Sequence, residues 1–377
     1  MIPNYKNIHN RFKINGVHLD KEALFQLAYS SIKEGEVYEK ELGEFLLDWL
    51  DEKETIQLTT SGTTGTPKII TIKKEAMVHS AIATGNFFDL HPQDKALLCL
   101  SARYIAGKMM IVRAMMLGLE LDLIAPSSHL DDLLSHKIYD FVAIVPLQAE
   151  NSLDKLNQFK KIIIGGAKVS DDLALKIRDL NAKIYETYGM TETITHIAAK
   201  RIGETYFNTL EHVIITSDDR NCLVIDAPSI SDEKIVTNDI VEIHNVKQFK
   251  WLGRYDNVIN SGGVKLFPEQ IETKLVSKIP NRFFITGLPD AVLGTKVVLV
   301  IEGKEQKIAP SIFDILDKFE KPKDILFLTE FVETETKKIN RIQTLKNIKA
   351  KKIKGIKKAN LSLFEKSPVS AFGLYSP

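Results

Sequence analysis

The chain has 377 residues, of which 44% are hydrophobic and 26% are charged, and its formal net charge is +1. This composition is typical of a folded globular protein, argues against a disordered chain, and leaves room for one large and one small domain. No apolar run approaches the roughly 18 residues of a membrane span, and the N-terminus has no apolar export core. Because Cys99 and Cys222 both lie in apolar runs, we expect buried reduced thiols and a cytoplasmic protein.

The predicted elements alternate between helices and strands along most of the chain. Apolar residues recur at helical spacing between residues 21 and 51. Strands are then predicted at 56–58, 96–100, 121–124, 141–145 and 162–166, with a helix over 107–117. Continuous apolar strands separated by helices predict a parallel sheet covered on both faces, with ligands at the carboxyl ends of its strands. Short strands with polar turns between 213 and 252 indicate a small β-rich subdomain.

A segment rich in threonine, serine and glycine follows the strand predicted at 56–58. Its glycines let the backbone approach a ligand closely, while hydroxyls, backbone N–H groups and a lysine suit phosphate oxygens. The pattern differs from the common P-loop, because two residues separate Gly65 from Lys68. The candidate phosphate-binding residues are Thr59, Thr60, Ser61, Gly62, Thr63, Thr64, Gly65 and Lys68.

This segment resembles the phosphate loop of the acyl-adenylate-forming (AMP-binding) superfamily. Further motifs follow in the superfamily's order: Tyr-Gly-Met-Thr-Glu-Thr at 188–193, Gly-Arg-Tyr-Asp at 253–256, and Lys-Lys-Ile-Asn-Arg at 337–341. The resemblance implies an α/β fold whose large domain, residues 1–254, has mostly parallel sheets flanked by helices plus the β-rich subdomain. It also implies a small mobile α+β domain at 255–350 and a basic, loosely ordered tail at 351–377. Since the phosphate loop comes by residue 59, we expect a shortened N-terminal subdomain and an altered acyl pocket.

The resemblance also implies an ATP site. Adenylation joins a carboxylate to the α-phosphate of ATP, a reaction that needs charge neutralisation on phosphate. Thr191 would bind the α-phosphate and Glu192 would hold Mg²⁺. Residues on the adenine and ribose side would be Gly165, Gly166, Ala167, Tyr188, Gly189, Asp239 and Arg254. Asn238 stands where the motif has glycine, and asparagine tolerates the positive φ that glycine would supply.

The C-terminal motifs imply a catalytic lysine and a hinge. Lys338 would bridge the incoming carboxylate and the α-phosphate during adenylation. Because Lys337 occupies the position at which the motif has glycine, an alignment of the motif shifted by one residue stays open. Asp256 would be the hinge about which the small domain rotates between the two half-reactions. Gly262 and Gly263 would let the pantetheine arm of coenzyme A pass close to the backbone.

Basic residues around the start of the helix predicted at 107–117 indicate which class of carboxylic acid is the substrate. Arg103 and Lys108 flank Tyr104, which stands where the superfamily has histidine. Two cations suit a substrate with a second carboxylate, although surface solvation or a phosphate contact explains them equally well. The run also resembles the short o-succinylbenzoate–CoA ligases of menaquinone biosynthesis, and His196 could line the same pocket.

We therefore predict an ATP-dependent acid–CoA ligase for 2-succinylbenzoate, with ATP, Mg²⁺ and coenzyme A as cofactor and co-substrates. A stand-alone adenylation enzyme that loads a carrier protein, and a nucleotide- or nucleic-acid-binding protein without ligase chemistry, stay open. Between Lys337 and Lys358 there are ten lysine or arginine residues and no acidic residue. We interpret this basic stretch as a solvated surface, so nucleic acid is not expected as a partner.

Overall fold

The computed structural model describes residues 4–60, 68–133, 136–333 and 339–347. Its helices are α1 (Lys21–Glu34), α2 (Val37–Leu50), α3 (Lys74–Phe88), α4 (Ile105–Leu117), α5 (Pro146–Asn151), α6 (Asp171–Ile177) and α7 (Pro268–Leu275). The strands up to residue 201 are β1 (Lys13–Ile14), β2 (Val17–His18), β3 (Thr55–Thr60), β4 (Lys68–Lys73), β5 (Lys95–Leu98), β6 (Glu120–Leu123), β7 (Tyr139–Ile144), β8 (Phe159–Ile164), β9 (Lys183–Gly189) and β10 (His196–Arg201). The later strands are β11 (Phe207–Thr209), β12 (Ile214–Ser217), β13 (Cys222–Asp226), β14 (Ile235–Asn245), β15 (Gln248–Arg254), β16 (Ile259–Ser261), β17 (Val264–Leu266), β18 (Phe283–Asp290), β19 (Gly294–Glu302) and β20 (Asp324–Leu328).

Thirteen strands of the described part form one sheet, in the order β12-β13-β14-β15-β11-β10-β9-β8-β7-β5-β6-β1-β2. Strands β9, β8, β7, β5, β6 and β1 run parallel, and β2 and β10 begin the antiparallel edges. The predicted parallel sheet is therefore confirmed. The predicted helices between 21 and 51 are α1 and α2, and the one predicted over 107–117 is α4.

Helices cover both faces of the parallel strands, as the continuous apolar runs predicted. Ala96 and Leu98 of β5 pack into the cluster formed with α1 to α4, whereas Leu97 and Cys99 pack into the cluster formed with α5 and α6. Successive side chains of a strand point to opposite faces, so a run that is apolar at every position requires two cores. Cys99 and Cys222 are both buried and form no disulfide, as predicted.

Strands β10 to β15 continue the same sheet in antiparallel fashion and enclose their own apolar cluster around Phe249 and Leu223. The β-rich region predicted at 213–252 thus has a distinct core but is hydrogen-bonded to the parallel strands through β11 and β10. None of the helices in the described ranges combines the length and apolar character that a membrane span needs.

Beyond β15 the chain forms smaller sheets. β16 and β17 make a hairpin, and β18, β19 and β20 make a separate three-stranded sheet against which α7 packs. Gly262 and Gly263 form the turn between β16 and β17 with φ values of 56° and 83°. Left-handed φ at both central residues is the requirement of this tight hairpin turn, which explains the Gly-Gly pair.

Candidate active site

The candidate site lies at the carboxyl ends of β8 and β9, where the parallel-sheet argument places it. Gly165, Gly166 and Ala167 follow β8, and a short 3-10 turn, Thr191–Thr193, follows β9. A Cβ on Gly165 would lie 2.7 Å from the Thr187 hydroxyl oxygen. A Cβ on Gly189 would overlap the Thr195 carbonyl across the β9–β10 hairpin. Glycine is therefore needed at both positions for the two strand ends to approach each other.

Thr191 and Glu192 present free side chains from the 3-10 turn. Within the described ranges, neither side chain has a hydrogen bond or ion pair. The turn is followed by Ile194, a buried residue at φ 65° and ψ −57°, and the Thr195 N–H donates to the Thr193 carbonyl at 2.7 Å. This is a strained γ-turn for a β-branched residue. It redirects the chain so that Thr195 and His196 face the core while Glu192 faces solvent.

A cluster of polar contacts joins three of the predicted adenine and ribose residues, Tyr188, Asp239 and Arg254. The Tyr188 hydroxyl donates to Asp239 Oδ2 at 2.6 Å, and Trp251 Nε1 donates to Asp239 Oδ1 at 3.2 Å. Arg254, the strand partner of Asp239, has its Nη1 atom 3.5 Å from Asp239 Oδ1. Burial, followed by the charge and hydrogen bond of Asp239, raises the pKa of Tyr188, so its hydroxyl stays a donor. The Tyr188 ring packs edge-on against Phe249 with centroids 5.1 Å apart.

Asn238 differs from the expectation that it replaces glycine at a positive φ. Its φ is not positive, because Asn238 lies within the extended strand β14 and needs no left-handed conformation. Its side chain instead connects β14, next to Asp239, to the predicted hinge: Asn238 Nδ2 donates to Asp256 Oδ2 at 3.3 Å. Arg220, which the sequence analysis did not identify, donates to Asn238 Oδ1 at 2.9 Å and lies over the Tyr255 ring.

The phosphate-loop residues extend from the β3–β4 hairpin. Thr59 and Thr60 end β3, Lys68 begins β4, and Thr60 pairs with Lys68 across the hairpin. Residues 61–67, including Ser61, Gly62, Thr63, Thr64 and Gly65, lie outside the described residues. Lys337 and Lys338 lie outside them as well. The roles of these residues stay predictions from the sequence.

The two cations that flank Tyr104 have different surroundings. Arg103 and Tyr104 are exposed just before α4. Lys108 Nζ lies 4.9 Å from the centroid of the Phe45 ring on α2. Burial lowers the pKa of Lys108, while the nearby carboxylates of Asp48, Glu44 and Glu41 oppose that shift. Lys108 thus faces α2 and its acidic residues, and His196 does not share its surroundings.

Arg113 is the cation that α4 directs toward the candidate site, and the sequence analysis missed it. Its side chain is 1% exposed, its Nη2 donates to Thr195 Oγ1 at 3.2 Å, and its Nε has no hydrogen-bond partner. No acidic residue of the described part forms an ion pair with it. Burial lowers the pKa of Arg113 to about 9. A buried, uncompensated cation is costly, and a ligand anion is the partner that would offset this cost.

His196 lies beside Arg113 in the same buried region. Its Nε2 is 3.3 Å from Thr84 Oγ1 and its Nδ1 is 3.4 Å from Thr195 Oγ1. Burial, and then the positive charge of Arg113, lower the pKa of His196 well below 6.5. His196 is therefore neutral in the folded protein and contributes hydrogen-bonding atoms rather than a charge to this region.

We expect His196 to make the fold acid-sensitive. Because its pKa is depressed only in the folded state, its contribution to stability is present above pH 6.5 and is lost as pH falls below that value. Between pH 7.5 and 5.5 the free energy of unfolding should fall by about 1 kcal/mol more in the unmodified protein than in His196→Gln. Urea unfolding at both pH values measures this difference. His91→Gln, at an exposed position, is the matched control, and an equal acid loss in all three proteins would contradict a buried neutral His196.

The chain matches the model of one protein family and several curated relatives. The model of the AMP-binding enzyme family matches residues 27–220, which is just over half of the chain. The chain is 25% identical over 323 residues to the 2-succinylbenzoate–CoA ligase of Lactococcus lactis subsp. lactis, and the match covers 78% of this chain and 71% of that protein.

Solved structures show the same fold. An acyl-CoA synthetase (AMP-forming)/AMP-acid ligase II-like protein from Dyadobacter fermentans is 36% identical, with a TM-score of 0.57, over 86% of this chain and 98% of that one. The o-succinylbenzoate CoA synthetase MenE of Bacillus subtilis, solved with the acyl-adenylate intermediate OSB-AMP, is 20% identical with a TM-score of 0.68, over 76% of this chain and 68% of that one. The same Bacillus protein has been solved with ATP and magnesium.

Proposed function

Because the chain belongs to the AMP-binding enzyme family, we propose that it is an AMP-forming acid–CoA ligase whose acid is 2-succinylbenzoate. The observation that carries the choice of acid is Arg113, a buried cation near the turn that bears Thr191 and Glu192, for which the described ranges offer no anionic partner. The curated Lactococcus relative, which is named for this acid, supports the same choice.

The proposed reaction has two steps. A carboxylate oxygen of the acid attacks the α-phosphorus of ATP, the bond to the β-phosphate oxygen breaks, and pyrophosphate leaves. The coenzyme A thiolate then attacks the acyl carbon and AMP leaves, giving the thioester. In the first step Asp239 would accept hydrogen bonds from the ribose, Thr191 would donate to the α-phosphate, and Lys338 would neutralise the developing charge. Tyr188, Gly165 and Gly166 would form the adenine side of the site.

The free Glu192 carboxylate fits a magnesium site. Mg²⁺ is commonly held by one or two carboxylates together with substrate phosphates, and Glu192 is exposed with no competing partner in the described ranges. The described ranges contain no cluster of three or more His, Cys, Asp or Glu side chains that could hold a metal ion. The ion would supply charge neutralisation on the phosphates.

Arg113 would bind the carboxylate that is not activated. 2-Succinylbenzoate carries an aromatic carboxylate in addition to the succinyl carboxylate that reacts. The guanidinium has fixed donors for a planar carboxylate, and its unpaired Nε is one of them. His196, neutral beside Arg113, would not compete for that anion. A second carboxylate would thus compensate a buried charge that has no acidic partner among the described residues.

Pyrophosphate release with a panel of acids, with and without coenzyme A, tests the proposal. We expect release with 2-succinylbenzoate and formation of its CoA thioester when coenzyme A is added. Release that never yields a CoA thioester would favour an adenylation enzyme that loads a carrier protein. If ATP binds but no acid releases pyrophosphate, the chain is a nucleotide-binding protein without ligase chemistry.

Glu192→Gln should raise the Mg²⁺ concentration needed for half-maximal adenylation by about 10-fold or more, and the KM for ATP with it. The reason is the loss of one anionic oxygen ligand while the shape of the side chain is kept. Adenylation rates measured across a magnesium titration give both values. Glu204→Gln, at an exposed position after β10, is the control, and an unchanged magnesium dependence in folded Glu192→Gln would remove Glu192 from the metal site.

A further inference from the structure

A largely buried group of charged side chains joins α7 to the chain that follows residue 338. Arg341 Nη2 donates to Glu272 Oε2 at 2.7 Å, and Arg341 Nη1 lies 3.7 Å from Glu269 Oε1. The side chains of Arg341, Glu272 and Glu269 are 24%, 18% and 10% exposed. The guanidinium also lies over the Phe284 ring, 5.7 Å from its centroid. An ion pair this well shielded from water is screened little by salt and is sensitive to the loss of either partner.

The two carboxylates are themselves fixed. Glu272 Oε1 accepts a hydrogen bond from the Ile285 backbone N–H at 2.7 Å, which ties it to β18. Glu269 Oε1 accepts from Asn257 Nδ2, and Asn257 belongs to the 3-10 turn that contains the predicted hinge Asp256. Arg341 is therefore held by groups anchored on α7, on the small sheet and at the hinge.

Residues 332–333 and 339–340 pair in antiparallel fashion and form a short stem, which Arg341 directly follows. Glu333 and Ile339 form an isolated antiparallel bridge, and the Asn340 N–H donates to the Val332 carbonyl at 2.7 Å. The Val332 N–H in turn donates to the buried Thr344 hydroxyl oxygen at 3.1 Å. The bridge flanks residues 334–338, which lie outside the described residues and include Lys338.

We propose that Arg341, held by Glu272 and Glu269, is a positioning residue that sets where Lys338 is delivered during adenylation. Lys338 precedes Arg341 by three residues, a separation of at most about 11 Å in extended chain, so anchoring Arg341 limits the reach of Lys338. A displacement of about 1 Å at a reacting centre can cost about 100-fold in rate. The inference rests on the proposed function for the role of Lys338, whereas the anchoring of the stem can be tested separately.

The strength of the ion pair between Arg341 and Glu272 should depend on pH. Burial raises the pKa of Glu272 to about 7, against the opposing effects of Arg341 and the Ile285 N–H. Glu269, whose charge also raises this pKa, and Lys168 beyond β8 are the other charged groups that face Glu272. Because the Glu272 anion is present above its pKa, the ion pair is complete above about pH 7 and weakens as pH falls through that value.

The experiment measures the two half-reactions separately in Arg341→Met, Glu272→Gln and the double variant. Adenylation kcat should fall by about 10- to 100-fold in each single variant, with the KM for ATP changed by less than about 3-fold. Thioester formation from supplied acyl-adenylate should stay within about 2-fold of the unmodified rate, and the double variant should lose no more than the worse single variant. The fall in adenylation between pH 8 and pH 6 should be smaller in Glu272→Gln than in the unmodified protein.

The matched control is Lys274→Met. Lys274 lies on the same helix and forms a comparable ion pair with Glu320, 2.7 Å between Nζ and Oε2, but is not joined to the stem. We expect both half-reactions to be unaffected in this variant. Equal loss of adenylation in Lys274→Met and Arg341→Met would mean that the ion pairs only stabilise the small domain, and would overturn the positioning role.

Trypsin provides a readout that does not need ligase activity. Cleavage after Lys337 and Lys338, followed by mass spectrometry, should be at least about 5-fold faster in Arg341→Met and Glu272→Gln than in the unmodified protein and in Lys274→Met. Unchanged cleavage would overturn the anchoring. Faster cleavage in a chain that releases no pyrophosphate with any acid would support the anchoring and refute the proposed function instead.

Discussion

Arg113→Met is expected to lower kcat/KM for 2-succinylbenzoate by about 30- to 1,000-fold, or about 2–4 kcal/mol. The variant removes the buried cation that would pair with the second carboxylate, which leaves a substrate anion in an apolar site. We expect folding to be retained, since Arg113 has no ion-pair partner in the described ranges and replacing buried charges by apolar side chains of similar size is often neutral or stabilising. Steady-state kinetics and thermal unfolding of the same preparations measure both effects.

The matched substrate is 3-benzoylpropanoate, the same molecule without the ring carboxylate. The kcat/KM for 3-benzoylpropanoate should change far less in Arg113→Met, because this acid has no second carboxylate that would lose its cationic partner. Lys108→Met and Arg103→Met serve as control variants, since Lys108 faces the acidic residues of α2 and Arg103 is exposed. Equal losses for both acids in Arg113→Met would assign the residue to the fold or the nucleotide. A selective loss in Lys108→Met instead would restore the assignment made from the sequence.

The helix α4 shows why Arg113 was not identified from the sequence. Lys108 and Arg113 are five residues apart, which places them about 140° apart around a helix. Nearly every residue from Met109 to Met116 is apolar, so the helix is buried all round and periodicity does not say which face meets which neighbour. Lys108 drew attention because it stands beside Arg103 and Tyr104, whereas Arg113 is isolated among apolar residues. Only the folded structure, in which Arg113 donates to Thr195, reveals which cation adjoins Thr195.

The parallel sheet was predictable because its physical signal is local. Runs such as 141–145 are apolar at every position, and a strand with two buried faces requires that pattern whatever its neighbours are. The order of the strands was not predictable in the same way. The attachment of β12 to β15 to the parallel strands depends on the β10–β11 and β11–β15 pairings, which involve residues far apart in the chain.

The residues predicted for the nucleotide side come from motifs, and the structure adds the contacts that hold Asp239. Asp239 is positioned by Tyr188, Trp251 and Arg254 together, which no single motif contains. Asn238 was interpreted through backbone conformation alone, and that interpretation was wrong because the side chain bonds to Asp256 and Arg220 instead. A motif identifies residue types at a spacing, but the partners of a substituted position depend on what the fold brings beside it.

Lys338→Ala is expected to lower adenylate formation by about 100- to 1,000-fold or more, as for loss of a donor aimed at developing charge. Lys338 would neutralise charge on the α-phosphate only in the first half-reaction, and the small domain would then rotate about Asp256 and carry it away. Thioester formation from supplied acyl-adenylate should therefore be retained. Pyrophosphate release and thioester formation, measured separately in the same variant, test both statements.

Lys337→Ala is the control that tests the register, because Lys337 occupies the position at which the motif has glycine. We expect both half-reactions of Lys337→Ala to be close to normal. A near-normal first step in Lys338→Ala together with a lost first step in Lys337→Ala would move the catalytic role by one residue. If Lys338→Ala slows both half-reactions equally, the lysine does not leave the site between the steps, and the proposed rotation about Asp256 does not separate them.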